Sequence, residues 1–113
     1  MDKNKLRKAI VWVGQRKAGY LKEKDNGYSF IYDKDYLNSD NPVAVSLTLP
    51  LAEIEYKSNT LFPFFDGLIP EGWLLELSIK KRKLSSKDRF GLLIAVCKDC
   101  VGDVSITEDE ESL

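Results

Sequence analysis

The sequence predicts an α+β domain, in which a small antiparallel or mixed sheet from an N-terminal meander is packed by two or three C-terminal helices and closed by a final strand. Three observations predict this class. Short β-rich runs fill the first half, helical spacing of apolar residues begins after residue 60, and one more β-rich run ends at residue 107. Strands that come first and helices that follow are typical of α+β domains.

The opening meander has strands predicted at residues 9–13, 17–23 and 28–32. The first is a buried apolar run that ends at Gly14. Asp25-Asn26-Gly27, between the second and third, is the kind of turn sequence that joins a tight β-hairpin. In the third strand Tyr28, Phe30 and Tyr32 occupy alternate positions, so we expect one aromatic face.

The stretch that follows is less regular. Residues 33–39 predict one helical turn around Tyr36 and Leu37. Residues 43–49 predict a half-buried strand, because apolar residues alternate there with small or hydroxyl-bearing ones. Residues 53–57 predict a short edge strand.

Three helices are predicted in the second half. Thr60 is the expected N-cap of a short helix through Phe65, with Pro63 in its first turn. Residues 72–82 form the second helix, and Ser85 caps the third, with Asp88 in the position of a capping box. The apolar stripe of the third helix is Phe90, Leu93, Ile94 and Cys97. Residues 101–107 predict the closing strand.

The length of 113 residues fits one domain, predicted at residues 1–107, with 108–113 as a disordered acidic tail. No apolar run approaches the roughly 20 residues needed to span a bilayer. The N-terminus lacks the apolar core of a signal peptide, and two cysteines make no disulfide framework. These features predict a cytoplasmic protein that does not bind membranes.

The net charge of −1 gives no bulk attraction to nucleic acid. Residues 1–24 contain eight lysines and arginines, and residues 80–83 form a second basic cluster. Solvated strand faces and a solvated helix end explain these groups more economically than a nucleic-acid site. We therefore expect no direct contact with nucleic acid.

The residue types argue against catalysis. The chain has no histidine, which removes the usual general base and most zinc sites, and its seven glycines form no phosphate-binding loop. Cys97 and Cys100 form one Cys-x-x-Cys pair, where a structural zinc needs four ligands. The pair lies at the predicted C-terminal end of a helix, whereas a redox motif is expected at an N-terminus. We expect no enzyme activity, no metal and no cofactor.

The most informative segment is residues 61–73, Leu-Phe-Pro-Phe-Phe-Asp-Gly-Leu-Ile-Pro-Glu-Gly-Trp. Its phenylalanines indicate core, whereas Pro70, Glu71 and Gly72 place Trp73 on a turn at the start of a helix. Tryptophan is over-represented among interface hot spots, so Trp73 is a candidate anchor for a protein partner. An equally good reading is that Trp73 packs back on its own helix as a hydrophobic staple.

Three motifs resemble the N-terminal subdomain of HipA-type serine/threonine kinases of bacterial toxin–antitoxin systems. They are Phe64-Phe65-Asp66-Gly67-Leu68-Ile69-Pro70-Glu71-Gly72-Trp73, Asp88-Arg89-Phe90-Gly91-Leu92-Leu93, and Ala95-Val96-Cys97-Lys98-Asp99-Cys100-Val101-Gly102. Residues 44–51 and the three-strand pattern of the N-terminal half agree as well. The resemblance covers almost the whole chain.

The resemblance implies a function because the kinases continue for hundreds of residues and this sequence ends after the subdomain. It looks like the free-standing HipS-type antitoxin, whose partner is a HipT-like kinase; the resemblance also implies a ternary complex with a HipB-like helix-turn-helix repressor. The resemblance implies that Trp73 inserts near the kinase active site. The expected partner-binding residues are Asp66, Leu68, Ile69, Pro70, Glu71, Gly72 and Trp73.

Two other interpretations stay open. The chain could be the N-terminal fragment of a full-length HipA-type kinase, in which case the same surface is intramolecular. It could also be a scaffold that bridges the kinase and a HipB-like repressor.

Overall fold

An antiparallel five-stranded sheet in the order β4-β3-β2-β1-β5 forms one layer of the protein. The computed structural model describes residues 6–69, 88–96 and 103–109. Its elements, in chain order, are β1 (Lys8–Val13), β2 (Arg16–Lys24), β3 (Gly27–Tyr32), α1 (Lys34–Leu37), β4 (Glu55–Ser58), α2 (Pro63–Asp66), α3 (Arg89–Val96) and β5 (Val104–Glu108). The predicted α+β class is confirmed.

The N-terminal meander forms as the sequence predicts. β1, β2 and β3 pair antiparallel, and Lys24 pairs with Gly27 across the two-residue turn of the second hairpin. Gly27 has φ 150°, a backbone conformation that favours glycine. The turn chemistry therefore sets the register that places Leu21 opposite Phe30, and both side chains are fully buried.

The predicted closing strand is β5, which pairs antiparallel with β1 and places Ile106 opposite Val11 in the core. The strand extends one residue beyond the predicted domain boundary, because Glu108 still pairs with Ala9. Asp109 is also ordered: its amide donates to the Lys8 carbonyl at 2.8 Å, and its buried carboxylate lies 3.2 Å from Lys8 Nζ. Residues 110–113 of the predicted tail lie outside the described residues.

One face of β3 carries Tyr28, Phe30 and Tyr32, hereafter the aromatic row. Each ring meets one of the three described helices. Tyr28 stacks on Phe90 of α3 with centroids 6.1 Å apart, and Phe30 lies 5.6 Å from Phe65 of α2. Tyr32 stacks on Tyr36 of α1 at 6.4 Å. The predicted aromatic face is thus the surface on which the helical layer packs.

The strand predicted at residues 43–49 is wrong. Residues 42–54 form a loop, hereafter the tyrosine-pinned loop, whose only strand-like pairing is an isolated bridge between Ser46 and Leu49. Val45 and Leu49 are buried, whereas Val43 and Leu47 are exposed. Apolar residues at every second position therefore alternate between core and solvent here, which a regular strand does not do.

Hydroxyl groups of three tyrosines bind the backbone of this loop in place of a neighbouring strand. Tyr36 Oη accepts from the Val43 amide at 2.8 Å and donates to the Val43 carbonyl at 2.6 Å. Tyr32 Oη accepts from the Val45 amide at 3.0 Å and donates to the Leu49 carbonyl. Tyr56 Oη donates to the Pro50 carbonyl at 2.6 Å. The loop is therefore held at several points along its length.

The helix boundaries differ from the sequence prediction. Phe62, not Thr60, is the N-cap of α2, and it makes no side-chain capping bond. The described part of the third helix begins at Arg89, and Asp88 caps it by accepting from the Gly91 amide at 3.1 Å. Ser85 and the helix predicted at 72–82 lie outside the described residues.

We expect Tyr32→Phe to lower the free energy of unfolding by about 2 kcal/mol, because the buried Val45 amide and Leu49 carbonyl would lose their partner. Urea unfolding measures the change. Tyr56→Phe is the matched control, since its hydroxyl bond is solvent-exposed and water can replace it, at a cost below about 0.5 kcal/mol. Equal losses in both variants would contradict the role assigned to the Tyr32 hydroxyl.

Candidate partner-binding surface

The segment from Leu61 to Ile69 packs into the core through four of its side chains. Leu61, Phe62, Phe65 and Ile69 are all buried. After α2, the Leu68 amide donates to the Phe65 carbonyl at 3.0 Å and the Ile69 amide donates to the Asp66 carbonyl at 3.2 Å. This short helix and the turns that follow it hold the described segment in the core as far as Ile69.

Three of the predicted partner-binding residues are described. Asp66 and Leu68 are partly exposed, whereas Ile69 is 8% exposed and belongs to the core. The side chain of Ile69 therefore packs inward in this chain. Pro70, Glu71, Gly72 and Trp73 lie outside the described residues, as do Cys97 and Cys100.

An ion pair ties the end of α2 to the start of α3. Arg89 Nε donates to Asp66 Oδ1 at 2.6 Å, and the two side chains are 37% and 41% exposed. An exposed pair of this kind adds little to stability, typically below about 1 kcal/mol. Its effect on position matters more, because it holds the Asp66 carboxylate and the Arg89 guanidinium side by side at the surface.

A second, more buried ionic cluster lies at the same N-terminal end of α3 and consists of Arg7, Glu23 and Asp88, hereafter the Arg7 clamp. The guanidinium donates two bonds to Glu23, at 2.9 and 2.8 Å, and two bonds to Asp88, at 2.7 and 3.1 Å. It also lies 5.2 Å above the Phe90 ring, which is a cation–π distance. The clamp therefore joins the entry to β1, the end of β2 and the cap of α3.

Bidentate bonds of this kind favour the charged state of every member of the clamp. Hydrogen bonds from Arg7 hold the pKa of Asp88 below its ordinary value, and the Gly91 amide adds to this effect. Burial alone would raise the pKa of Glu23, but the bonds from the Arg7 side chain and backbone lower it. The pKa of Arg7 is raised, chiefly by its bonds to Glu23 and Asp88.

Gly91 leaves room for the close approach of this clamp. A Cβ at this position would collide with the Asp88 carboxylate and would lie 2.9 Å from Arg7 Nη1. Each residue of the Asp88-Arg89-Phe90-Gly91 motif thus has a physical role. Asp88 caps α3 and binds Arg7, and Arg89 pairs with Asp66. Phe90 stacks on Tyr28, and Gly91 leaves room for the Asp88 carboxylate.

The clamp is the part of the site that sequence reasoning missed. Arg7 and Asp88 are 81 positions apart, and no local periodicity connects them. The one hint in the sequence is that Glu23 is one of only two acidic residues among the first 24, which contain eight lysines and arginines.

Other chemistry is sparse in the described part of the chain. A surface hollow of about 590 Å³ lies at the end of the second hairpin and beside β4, and the three described site residues, Asp66, Leu68 and Ile69, do not line it. The described residues contain no group of three or more histidine, cysteine, aspartate or glutamate side chains placed to hold a metal ion. No helix within the described ranges is long and apolar enough to cross a membrane.

This architecture, a meander sheet closed by a C-terminal strand and packed on one face by short helices, defines a small α+β domain. The sequence model of the HipA N-terminal domain family matches residues 9–107, and the chain belongs to that family. The resemblance drawn from the sequence motifs is therefore confirmed.

Two relatives differ greatly in size. The chain is 30% identical over 106 residues to an uncharacterized protein of Haemophilus influenzae, and the match spans 94% of this chain and 96% of that protein. It is 24% identical over 105 residues to Y4mE of Sinorhizobium fredii, which is named as a kinase; this match spans 92% of this chain but 25% of Y4mE.

Solved structures show the same pattern. A structure described as the N-terminal domain of HipA toxin superposes with a TM-score of 0.71 at 28% identity, and covers 93% of this chain and 94% of that one. A HipA chain in a Shewanella oneidensis complex of HipA, HipB and operator DNA gives a TM-score of 0.69 at 24% identity, which shows a shared fold. The match spans 24% of that chain.

We expect Gly91→Ala to destabilise the protein by about 1–2 kcal/mol, although alanine normally favours a helix over glycine by about 1 kcal/mol. The added Cβ would displace the Asp88 carboxylate from both Arg7 and the helix cap. Thermal or urea unfolding measures the effect. In an Asp88→Ala background the colliding group is absent, so the same substitution should be neutral or stabilising. A loss of equal size in both backgrounds would contradict this explanation.

The clamp also predicts a pH dependence. Because the pKa values of Glu23 and Asp88 are lowered on folding, their contribution is present above the ordinary carboxyl pKa of about 4 and is lost as the pH falls through the lowered values. We expect Arg7→Met to cost about 2 kcal/mol at pH 7 and much less at pH 3, measured by urea unfolding. Lys57→Met, which removes an exposed charge from β4, is the control and should change the profile little. A cost of Arg7→Met that is independent of pH would overturn the electrostatic assignment.

Proposed function

We propose that this protein is an antitoxin that binds a HipT-like serine/threonine kinase and holds it inactive. The observation that carries this proposal is the size of the relatives: the same domain is nearly the whole of the Haemophilus influenzae protein and one quarter of Y4mE, which is named as a kinase. A domain that is fused to a larger body in one protein and separate in another is expected to dock on an equivalent body as a separate chain.

The supporting physical argument is pre-organisation. Binding costs free energy for each group that must be ordered at the interface, so an anchor on a rigid support binds more tightly than one on a flexible chain. Phe62, Phe65 and Ile69 fix the segment in the core up to the residue before Pro70. In this proposal the buried Ile69 side chain supports the anchor, and the partly exposed Asp66 and Leu68 precede it in the chain.

The anchor itself is Trp73, presented by Pro70, Glu71 and Gly72 and inserted near the kinase active site. Aromatic anchors of this type dominate interface energetics when they are fully desolvated, and they commonly cost 2 kcal/mol or more on truncation. The inhibitor needs no cofactor and performs no chemistry of its own. Its site of action is the cytoplasm, where it meets the kinase without contacting membrane or nucleic acid.

A second candidate function is a scaffold that bridges the kinase and a HipB-like repressor. The specific observation in its favour is the Shewanella oneidensis complex, in which a protein of the same fold is assembled with HipB and operator DNA. This function is compatible with kinase inhibition. The two differ in whether removal of the anchor abolishes kinase inhibition or operator repression.

The test is a titration of the partner kinase with the wild-type protein and with Trp73→Ala. We expect the wild type to inhibit phosphorylation and the variant to bind about thirtyfold more weakly, which corresponds to about 2 kcal/mol. Trp12→Phe is the matched control, because Trp12 lies on β1, where its indole donates to Thr107 Oγ1 at 2.9 Å. Trp12→Phe should inhibit like the wild type.

Circular dichroism and urea unfolding must first show that Trp73→Ala is folded. Equal inhibition by wild type and Trp73→Ala would remove the anchor from the proposal and return the indole to its own helix. Failure of the wild type to inhibit or bind the kinase would overturn the antitoxin function. Loss of operator repression with inhibition intact would favour the scaffold.

A further inference from the structure

We propose that the tyrosine-pinned loop is a second contact with the same kinase, in which Leu47 enters an apolar hollow edged by basic side chains. This inference rests on the proposed function, because it names the kinase as the partner. It concerns a surface distinct from the 61–73 segment, and the sequence interpretation, which placed a half-buried strand here, assigned it no role.

The first observation is where apolar side chains are exposed. Five large hydrophobic residues are exposed among the described residues, and four of them lie in this loop: Val43, Leu47, Leu51 and Ile54. Leu47 is 99% exposed, so its side chain contributes nothing to the fold of the isolated chain. Single exposed apolar residues are ordinary, but a concentration of them marks an interaction surface.

The second observation is the rigidity of this exposed segment. Val45 and Leu49, on either side of the Leu47 tip, are buried and bound through the Tyr32 hydroxyl. Within the tip, Ser46 Oγ accepts from the Thr48 amide at 3.2 Å and lies 3.0 Å from Thr48 Oγ1. Leu47 is thus presented on a closed turn, so little backbone entropy remains to be lost when a partner covers it.

Residues 39–41, which lead into the loop, are also held by hydrogen bonds. The Arg16 guanidinium donates to Ser39 Oγ, to the Asp40 carbonyl at 2.9 Å and to the Asn41 carbonyl at 3.3 Å, and it lies 4.8 Å above the Tyr36 ring. Asn41 takes a positive φ of 52°, which turns the chain into the loop. The Arg16 guanidinium is therefore paired with groups at the entry to the loop.

The position of the loop makes one partner sufficient for both surfaces. Tyr32, which binds the loop, lies 4.9 Å from Phe30, and Phe30 lies 5.6 Å from Phe65 at the root of the 61–73 segment. The loop and α2 are therefore supported by adjacent rings on the same face of β3. A partner that reaches α2 approaches this side of the sheet.

The charge of the segment defines the chemistry of the hollow. Residues 35–56 contain four acidic and no basic side chains. The carboxylates of Asp40 and Glu53 are exposed and form no ion pair within the part of the chain that the structure describes. The complementary surface is an apolar hollow for leucine with lysine or arginine at its rim, since such pairing steers association and fixes register.

The test measures binding of the partner kinase to the wild-type protein, Leu47→Ser and Leu6→Ser by calorimetry or interferometry. Leu6 is 44% exposed and lies ahead of β1, so Leu6→Ser removes an exposed leucine elsewhere and is the matched control. We expect Leu47→Ser to keep the wild-type unfolding midpoint and to bind the kinase about tenfold more weakly, while Leu6→Ser binds normally. Glu53→Lys should slow association, and this effect should shrink at high salt.

The outcomes separate the two proposals. Wild-type binding that is unchanged in Leu47→Ser overturns the second contact and leaves the antitoxin function standing. Equal weakening in Leu47→Ser and Leu6→Ser also overturns it, because the effect is then not specific to the loop. Absence of kinase binding by the wild type overturns both proposals together.

Discussion

The aromatic row on β3 is the constraint on which the rest of the described structure depends. Tyr28, Phe30 and Tyr32 each receive one ring from a different helix, so a single strand determines where three separate pieces of chain pack. Aromatic pairs at these distances contribute beyond the area they bury. Tyr32 has a second role, because its hydroxyl holds the backbone of the tyrosine-pinned loop.

The Arg7 clamp fixes the same junction of α3 with the sheet that the stack of Tyr28 on Phe90 forms, because the guanidinium lies 5.2 Å above the Phe90 ring. Two bidentate bridges from one guanidinium give this junction a defined geometry, since planar guanidinium and carboxylate groups match in only a few orientations. α2 and the tyrosine-pinned loop, the two described segments assigned to partner binding, are held against the same sheet.

Prediction from the sequence succeeded where the signal was local. The meander, the Asp25-Asn26-Gly27 turn, the short edge strand and the closing strand were all found, because strand alternation and turn chemistry act over a few residues. The residues 43–49 were misread for the same reason: their alternation was real, but hydroxyl groups from Tyr32 and Tyr36 replaced the neighbouring strand that it implied. Ile69 is buried in the core, which its sequence context could not decide, and the partner-binding role of the 66–73 residues stays a prediction.

The sequence by itself determined the fold class, the aromatic face of β3 and the family, since each is written in residue order and spacing. Only the tertiary structure decided that Arg7 meets Asp88, that Gly91 must leave room for that carboxylate, and that Leu47 is held outside on a rigid turn. The physical reason is that side-chain hydrogen bonds join groups far apart in the chain, and such pairs have no periodicity in one sequence from which they could be predicted.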